Sequence, residues 1–265
     1  MNKFVKFFSR RRSWSLPYVI FMAIFVVMPL VLIMIYAFQA KDGSFSMENF
    51  QRFINQPEAA NTFIYSIGIA LITTIICLVL GYPAAYILSR LKPSTARLVV
   101  MLFILPMWIN VLVRTLATVA LFDFLRLPLG EGALIFGMVY NFLPFMIYPI
   151  YNVLQKMDGS LIEAAEDLGA TPRQVFTRVV FPLSSPGIVS GIMMVFMPTI
   201  STFAIAELLT MNNIKLFGTT VQENIYNGMW NYGAALSLIM LLLIGIMSLF
   251  TNDEDNAQNE SGGVI

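Results

Sequence analysis

Six apolar stretches, each long enough to cross a lipid bilayer as a helix, limit the folds open to this chain more than any other feature. A helix needs roughly 20 apolar residues to cross the hydrocarbon core of a membrane. Soluble domains carry about a quarter charged residues, whereas 12% of this chain is charged and 58% is hydrophobic. The sequence therefore predicts a polytopic membrane protein with spans at about residues 17–38, 61–88, 98–121, 132–155, 187–210 and 232–250.

The stretches are continuous apolar runs, which favours helices over a β-barrel. The strands of a membrane barrel are about ten residues long and alternate apolar with polar side chains. Inside lipid every backbone polar group must be bonded within the protein, which a helix achieves by itself. We therefore expect an all-α fold with six transmembrane helices, in which one membrane domain covers residues 17–250.

Basic residues are concentrated on one side of the predicted membrane. Eleven of the sixteen lysines and arginines precede the first span or follow spans two and four. Because such residues are retained in the cytoplasm, we expect both termini and the 156–186 loop to be cytoplasmic. Residues 1–16 then form a basic N-terminus, and residues 251–265 a polar, disordered tail. A cleaved signal peptide or a twin-arginine signal is the alternative for the N-terminus, but the first stretch is long enough to remain as a span.

The residue types that are missing exclude most catalytic and metal chemistry. The chain has no histidine and one cysteine, Cys77, which excludes a Ser-His-Asp triad, a haem histidine ligand and a structural zinc site. Cys77 lies within the second stretch and is expected to be a small buried hydrophobe. The sequence contains no GxxxxGK[ST] phosphate loop. We therefore expect no catalytic residue, metal or cofactor in this chain, and any ATP hydrolysis belongs to another subunit.

The predicted cytoplasmic loop contains a polar segment with its own helical pattern, 163–187, which reads EAAEDLGATPRQVFTRVVFPLSSPG. Ser160 and Glu163 have the spacing of a capping box and predict a helix start, and Gly169 predicts the end of that helix. At helical spacing, Leu161, Ala164, Ala165 and Leu168 share one face, while Glu163, Glu166 and Asp167 form a polar face.

A second short helix is predicted directly after the first. Thr171 and Pro172 are typical of a first helical turn, Gln174 to Val180 continue it, and Pro182 is expected to end it. Two short helices joined at a glycine form a rigid elbow that transmits a push from a partner into the neighbouring spans. The alternative is an amphipathic helix that rests on the membrane surface.

The spacing of Glu163, Ala164 and Ala165 with Gly169 and Pro182 resembles the EAA loop of the ABC-importer permeases. In that family the loop docks a cytoplasmic ATPase, and Phe181 stands where the family usually has leucine. The resemblance implies a type I permease fold in a bacterial inner membrane. The docking residues that it implies are Glu163, Ala164, Ala165, Asp167, Leu168, Gly169 and Ala170.

Other segments resemble the polyamine branch of this family, the spermidine/putrescine permeases. They are residues 77–83 (CLVLGYP), 105–110 (LPMWIN) with Arg114, 141–146 (NFLPFM) and 230–237 (WNYGAALS). The resemblance implies a second homologous permease in a heterodimer, two copies of an ATPase that holds ATP and magnesium, an extracytoplasmic binding protein and a polyamine substrate. Lipid surrounds such a protein, and nucleic acid is not a partner. The alternatives are an importer of iron, sulfate or thiamine, an ion-coupled secondary transporter, or an intramembrane enzyme.

Two ionisable residues, Arg114 and Glu207, lie inside predicted spans. A charge in a bilayer costs several kcal/mol unless it is paired or hydrated, so both are candidates for function. Glu207 is expected to line the path and attract a polyamine. Arg114 is expected to pair with an acidic group or carbonyls on the second permease. A structural bridge between the two residues, or snorkelling at a helix end, is the alternative.

Aromatic and amide side chains are the remaining candidates for the substrate path, because a cation gains roughly 0.5–2 kcal/mol over an aromatic face. Most aromatic residues of membrane helices are packing or interfacial residues, which is the alternative for each of them. Prolines within the spans predict kinks. The path candidates are Trp108, Asn110, Tyr140, Asn141, Tyr148 and Tyr151, and the prolines are Pro106, Pro144, Pro149 and Pro198.

Overall fold

The computed structural model describes residues 16–40 and 42–261, with side chains to Leu249, and this part of the chain folds into helices and their connections. The predicted basic N-terminus and the last four residues lie outside the described residues. The helices are α1 (Leu16–Ala37), α2 (Glu48–Asn55), α3 (Pro57–Arg90), α4 (Pro93–Trp108), α5 (Val111–Phe124), α6 (Glu131–Lys156), α7 (Gly159–Asp167), α8 (Pro172–Leu183), α9 (Ser185–Ser201), α10 (Ala204–Thr210), α11 (Phe217–Tyr226) and α12 (Trp230–Ser261).

Four of these helices are long and apolar enough to cross a membrane alone, namely α1, α3, α6 and the Trp230–Leu249 part of α12. Two bent pairs reach the same length and apolarity: α4 with α5, bent by 95°, and α8 with α9, bent by 60°. By length and composition the described residues therefore supply up to six spans. The expectation of an all-α polytopic membrane protein is confirmed.

The third predicted span, 98–121, is divided between two helices, α4 and α5, and whether the pair crosses the membrane as one span stays a prediction. The chain leaves the helix at Ile109, whose backbone is extended, and restarts at Val111. Pro106 lies in the 3₁₀ turn that closes α4, and the Asn110 side chain caps α5 by accepting the N–H of Leu112 at 2.8 Å. A proline at position 106 and a capping side chain four residues later, at Asn110, favour two helix ends where hydropathy indicates one span.

The fifth predicted span, 187–210, is also broken. α9 ends at Ser201, Thr202 is extended, and α10 begins at Ala204. Pro198 lacks an N–H and so removes one helical hydrogen bond near this end. The backbone of Gly218 packs against the break, since a Cβ there would lie 2.5 Å from the Ser201 carbonyl oxygen.

The last helix continues past the boundary at residue 250 that hydropathy predicts. α12 runs to Ser261, so the structure differs from the expected disordered tail over residues 251–261. No glycine or proline occurs between Gly245 and Gly262, and without such residues the helical backbone has no local reason to stop.

One compact unit contains the described residues up to Pro57 together with residues 221–241. Asn231 joins α12 to the chain after α1, because its Nδ2 donates to the carbonyls of Gln39 and Ala40 at 2.9 and 3.1 Å. The Arg52 guanidinium lies 4.3 Å from the centre of the Tyr232 ring. These contacts give a structural reason for the WNYGAALS segment, whose two alanines pack against Ala37.

The second compact unit contains residues 58–220 and the residues from 242 onward. Its centre is α6, on which α9 and α10 pack, and its core includes Cys77, which is fully buried as expected. α6 remains one helix despite Pro144 and Pro149. Glycines let α9 approach α6 closely: a Cβ on Gly187 would lie 2.9 Å from the Cα of Ile150.

Candidate functional site

The first helix of the predicted elbow, α7, begins two residues earlier than the sequence indicates. Asp158, not Ser160, is its N-cap, and the Asp158 carboxylate accepts the N–H of Ser160 at 3.0 Å. The predicted capping box of Ser160 with Glu163 is therefore wrong, because the carboxylate two residues earlier takes the capping position. Hydrogen bonds from the backbone and side chain of Ser160 hold the pKa of Asp158 below its ordinary value.

The joint between the two short helices is as predicted. Gly169 has φ +81°, a conformation that glycine adopts without the Cβ penalty, and the N–H of Ala170 bonds the carbonyl of Ala165 at 3.0 Å. Thr171 then caps α8 in a capping box with Gln174, whose side chain accepts the Thr171 N–H at 2.8 Å. Both ends of the joint are bonded, so the angle between α7 and α8 is held by the backbone.

The faces of α7 differ from the predicted ones. Ile162 and Ala165 are half-buried against the core of the second unit. Leu161, Ala164 and Leu168 are exposed, and Leu168 reaches 89% exposure. Helical spacing places Leu161, Ala164, Ala165 and Leu168 near one another, but it does not tell which side of that stripe touches the protein.

The exposed surface of α7 combines apolar and acidic side chains. Leu161, Ala164 and Leu168 lie on it with Glu163, Glu166 and Asp167, all of them exposed. None of the three carboxylates forms an ion pair or a side-chain hydrogen bond with a residue that the structure describes. An exposed apolar patch with a polar rim marks protein–protein contact sites, and Leu161, Ala164 and Leu168 with the carboxylates beside them have this arrangement.

The second short helix, α8, runs through Pro182 and ends at Leu183, so the predicted end at Pro182 is wrong. Pro182 lies in the first turn after a π-helical turn, Phe176–Val180, where its missing N–H removes no regular helical bond. The chain bends by 60° between α8 and α9, at Ser184. The elbow thus leads into α9 without an intervening loop.

Four aromatic rings pack beside this bend, and we refer to Tyr82, Tyr86, Phe176 and Phe181 as the aromatic hinge. Phe176 lies edge-on to Tyr82 and Tyr86, with ring centres 5.8 and 5.6 Å apart, and Tyr82 lies 5.6 Å from Phe181. The Tyr82 hydroxyl is 2.9 Å from the Ser184 hydroxyl, and both groups are buried. The aromatic hinge joins α8 to α3 at the point where the chain bends.

Sequence reasoning missed the aromatic hinge. Phe176 and Phe181 are five residues apart, which is not a helical contact spacing in a regular α-helix. The π-helical turn between them widens the helix and places both rings toward Tyr82. The sequence signal for it was the Gly-Tyr-Pro segment at residues 81–83, which the sequence analysis interprets only as a point of resemblance to the family.

Among the predicted path residues, the structure brings two, Tyr140 and Asn141, together beside Arg114. Arg114 is 7% exposed on α5, and its Nη1 lies 3.5 Å from the carbonyl oxygen of Asn141. Asn141 is buried and its Nδ2 donates to Gly137. Tyr140 lines a cavity of about 210 Å³ with Arg114. Arg114 thus contacts a carbonyl of its own chain, whereas the expected pairing with an acidic group or carbonyls on a second permease stays a prediction.

The remaining path candidates are not gathered into this cluster. Trp108 is 88% exposed at the end of α4, and Asn110 is the exposed cap of α5. Tyr148 is partly exposed on α6, whereas Tyr151 is buried in the core.

Glu207 is half-buried on α10, a helix that contacts α5 and α6. Its carboxylate has no hydrogen bond or ion pair with any residue in the described part of the chain, so the alternative of a bridge to Arg114 is not found there. An unpaired carboxylate on a short helix at the break after α9 remains available to a cationic ligand.

Comparison with known proteins assigns this chain to a family. Residues 77–252 match the family model described as binding-protein-dependent transport system inner membrane component. The chain is 34% identical to the spermidine/putrescine transport system permease protein PotB of Haemophilus influenzae, over 84% of this chain and 86% of the relative. It is 33% identical to PotB of Escherichia coli, over 86% and 91% of the two chains. A PotB homolog of Mycoplasma genitalium is 28% identical over 91% of both.

Solved structures share the fold at low sequence identity. A bacterial ABC transporter involved in the import of the acidic polysaccharide alginate matches with a TM-score of 0.69 and 17% identity, over 93% of this chain and 96% of that chain. The MetNI methionine ABC transporter matches with a TM-score of 0.61 and 17% identity, over 75% and 94%. At this level of identity the similarity concerns the fold alone.

Proposed function

Because the chain belongs to the family of binding-protein-dependent transport system inner membrane components, we propose that it forms half of the translocation path of an ATP-driven importer of polyamines. The observation that carries the polyamine cargo is the similarity to spermidine/putrescine permeases along nearly the whole chain. Spermidine and putrescine are polycations, and a half-buried carboxylate without a partner, Glu207, offers the charge that such a cargo requires.

The partners follow from the proposed role. A second, homologous permease supplies the other half of the path in a heterodimer, two copies of an ATPase bind the cytoplasmic face, and an extracytoplasmic binding protein delivers the cargo. ATP and magnesium are held by the ATPase. The distribution of basic residues supports cytoplasmic termini and a cytoplasmic elbow (α7 and α8), where the ATPase is accessible.

The proposed docking site is the exposed surface of α7 and the joint that follows it. Of the residues that the resemblance implies, Glu163, Ala164, Asp167, Leu168 and Gly169 are exposed, whereas Ala165 and Ala170 are half-buried against the core. Closure of the ATPase pair pushes this surface, and the bonded joint at Gly169 passes the displacement to α8. The aromatic hinge then moves α3 and α9 together, which opens the path to the loaded binding protein. When the ATPase pair reopens, the path closes to the binding protein and opens to the cytoplasm.

The proposal is tested by ATP-dependent uptake of labelled spermidine into vesicles. The vesicles contain this chain, its partner permease and the ATPase, and the loaded binding protein is added outside. Uptake that requires ATP and disappears with Glu163→Lys supports both the cargo and the docking surface. ATP hydrolysis without spermidine or putrescine uptake would overturn the polyamine cargo and leave the importer role, and iron, sulfate and thiamine are then the cargoes to test.

Glu207→Gln is expected to weaken spermidine transport about tenfold, measured as a rise in the spermidine concentration at half-maximal uptake. The amide keeps the shape of the side chain and removes a charge-assisted interaction worth roughly 1.5–3 kcal/mol. Asp123→Asn, which neutralises an exposed carboxylate in α5, is the matched control and should leave uptake unchanged. Equal uptake by the Glu207→Gln and wild-type importers would exclude a role for Glu207 in the path.

Tyr82→Phe is expected to lower the number of spermidine molecules imported per ATP hydrolysed about fivefold. The phenyl ring keeps the aromatic hinge, but the hydrogen bond to Ser184 is lost, which is worth about 1 kcal/mol. Tyr86→Phe is the control, because its hydroxyl contacts only the exposed Arg90 at 3.3 Å. An unchanged ratio in the Tyr82→Phe importer would show that this bond does not contribute to coupling.

A further inference from the structure

Arg114 has more hydrogen-bonding capacity than the described part of this chain satisfies. A guanidinium carries five N–H donors in a fixed planar arrangement. The hydrogen bond found for the Arg114 side chain within the described residues is the long contact from Nη1 to the carbonyl oxygen of Asn141. Its Nε is buried and has no partner there. The guanidinium therefore keeps donors that the described residues do not satisfy, and a guanidinium is a group that binds carboxylates through hydrogen bonds.

Arg114 lines a cavity of about 210 Å³. The cavity is lined by Arg114, Ala117, Thr118, Leu121, Phe136 and Tyr140. Leu121, Phe136 and Tyr140 are each a little under half exposed, so the cavity opens at an apolar and aromatic surface of the second compact unit. The Thr118 hydroxyl donates to the carbonyl of Arg114 at 2.9 Å, which leaves the arginine as the charged group of the cavity.

The surroundings of this cavity restrict what can fill it. A charged residue in the hydrocarbon region must meet a counter-charge, a set of polar groups or water, and lipid chains supply none of these. Polyamines are cations and are repelled by a guanidinium. No acidic side chain in the described residues forms an ion pair with Arg114. A counter-charge for Arg114 is therefore absent from the described residues, and a second subunit is the source that can supply one.

We infer that the cavity beside Arg114 receives a carboxylate side chain from a membrane helix of the second permease subunit. The carboxylate accepts hydrogen bonds from the guanidinium of Arg114, and the apolar rim of Leu121, Phe136 and Tyr140 packs around the entering side chain and excludes lipid. A buried ion pair of this kind fixes which subunits pair and in what register. The inference rests on the proposed pairing with a second permease and is independent of the cargo.

The test is retention of the second permease on a tagged copy of this chain, purified in detergent from membranes that contain the whole importer. Arg114→Asp places two carboxylates in the cavity and is expected to lower retention at least tenfold. Arg114→Met keeps the volume, leaves the partner's carboxylate unpaired and should lower retention several-fold. Arg97→Met, which removes an exposed cation from α4, should retain the second permease as the wild type does.

A second set of variants identifies the carboxylate. Each acidic residue in the membrane helices of the second permease is changed to its amide, alone and together with Arg114→Met. One amide is expected to lower retention alone and to restore it when combined with Arg114→Met, because the pair is then removed as a unit. Unchanged thermal unfolding of the isolated Arg114→Met chain shows that this variant is folded.

Three results would overturn the inference. In the first, Arg114→Asp retains the second permease as the wild type does. In the second, no amide in the second permease compensates Arg114→Met, and retention depends instead on chloride. In the third, the Arg114→Met chain melts at a lower temperature by itself, which assigns the arginine to the fold of one subunit. Failure of the wild-type chain to retain a second permease would overturn the proposed pairing and this inference with it, whereas a failure of spermidine uptake leaves the inference standing.

Discussion

An importer that carries Leu168→Ala is expected to bind its ATPase about 30-fold more weakly, while the permease itself remains as stable as the wild type. Leu168 is 89% exposed and its side chain contributes almost nothing to the core of this chain. A leucine that enters a partner's pocket contributes roughly 2 kcal/mol, which corresponds to about a 30-fold change in the dissociation constant. The loss therefore appears in docking and in transport and not in folding.

The measurement is titration of the ATPase onto the permease pair in lipid nanodiscs, together with thermal unfolding of the permease. Leu127→Ala is the matched control, since Leu127 is also an exposed leucine in the second unit but lies in the turn after α5. Glu163→Gln tests the acidic part of the same surface and should weaken docking by a smaller factor. Equal affinity for wild type and Leu168→Ala would show that the ATPase does not contact the end of α7.

The joint of the elbow was predictable from the sequence because local chemistry determines it. Gly169 ends a helix because its backbone adopts a positive φ, which glycine tolerates. Thr171 and Gln174 form a capping box, whose two residues lie three positions apart. Such signals need no information about the rest of the fold. The N-cap of α7 was misassigned for the same local reason, because Asp158 and Ser160 are both good caps and the sequence does not rank them.

The faces of α7 and the breaks in two spans were not predictable in the same way. Hydropathy averages over about 20 residues, so it recognises apolar length but does not register an extended residue such as Ile109 or Thr202. Helical periodicity groups Leu161 with Leu168 but does not tell whether that stripe meets the core or a partner. Tertiary packing of Ile162 decides the orientation.

The functional assignment depended on the residue spacing in the EAA loop and on similarity to known permeases, and not on the chemistry of single side chains. The sequence does not identify the partner of Arg114 or of Glu207. Each was a candidate because a charge in a membrane span is costly unless it is paired or hydrated. The structure separated their environments: Arg114 is buried beside a cavity, whereas Glu207 is half-buried on a short separate helix. Intersubunit contacts depend on a second chain, which is why one sequence does not identify them.

The close contact between α6 and α9 predicts a net loss of stability of about 1–2 kcal/mol for Gly187→Ala. The added Cβ would lie 2.9 Å from both the Cα of Ile150 and the carbonyl oxygen of Pro149. Both atoms belong to the backbone, so the clash is relieved only if the two helices move apart. Overpacking of this kind costs typically 1–3 kcal/mol, which exceeds the gain of about 0.5–1 kcal/mol from replacing glycine in a helix.

Gly68→Ala in α3 is the matched control, because no atom lies within 4 Å of the position of its added Cβ. There the helical gain acts alone, so the two alanine variants should change stability in opposite directions. Thermal unfolding of each purified chain in the same detergent measures the difference in stability. A functional consequence is also expected, because the aromatic hinge connects the elbow to α9. α9 carries the movement of the elbow into the membrane, so a displaced α9 should also lower transport per ATP. If Gly187→Ala were as stable as Gly68→Ala, α9 would not pack on α6 through Gly187, and the path by which the elbow moves the membrane helices would have to be different.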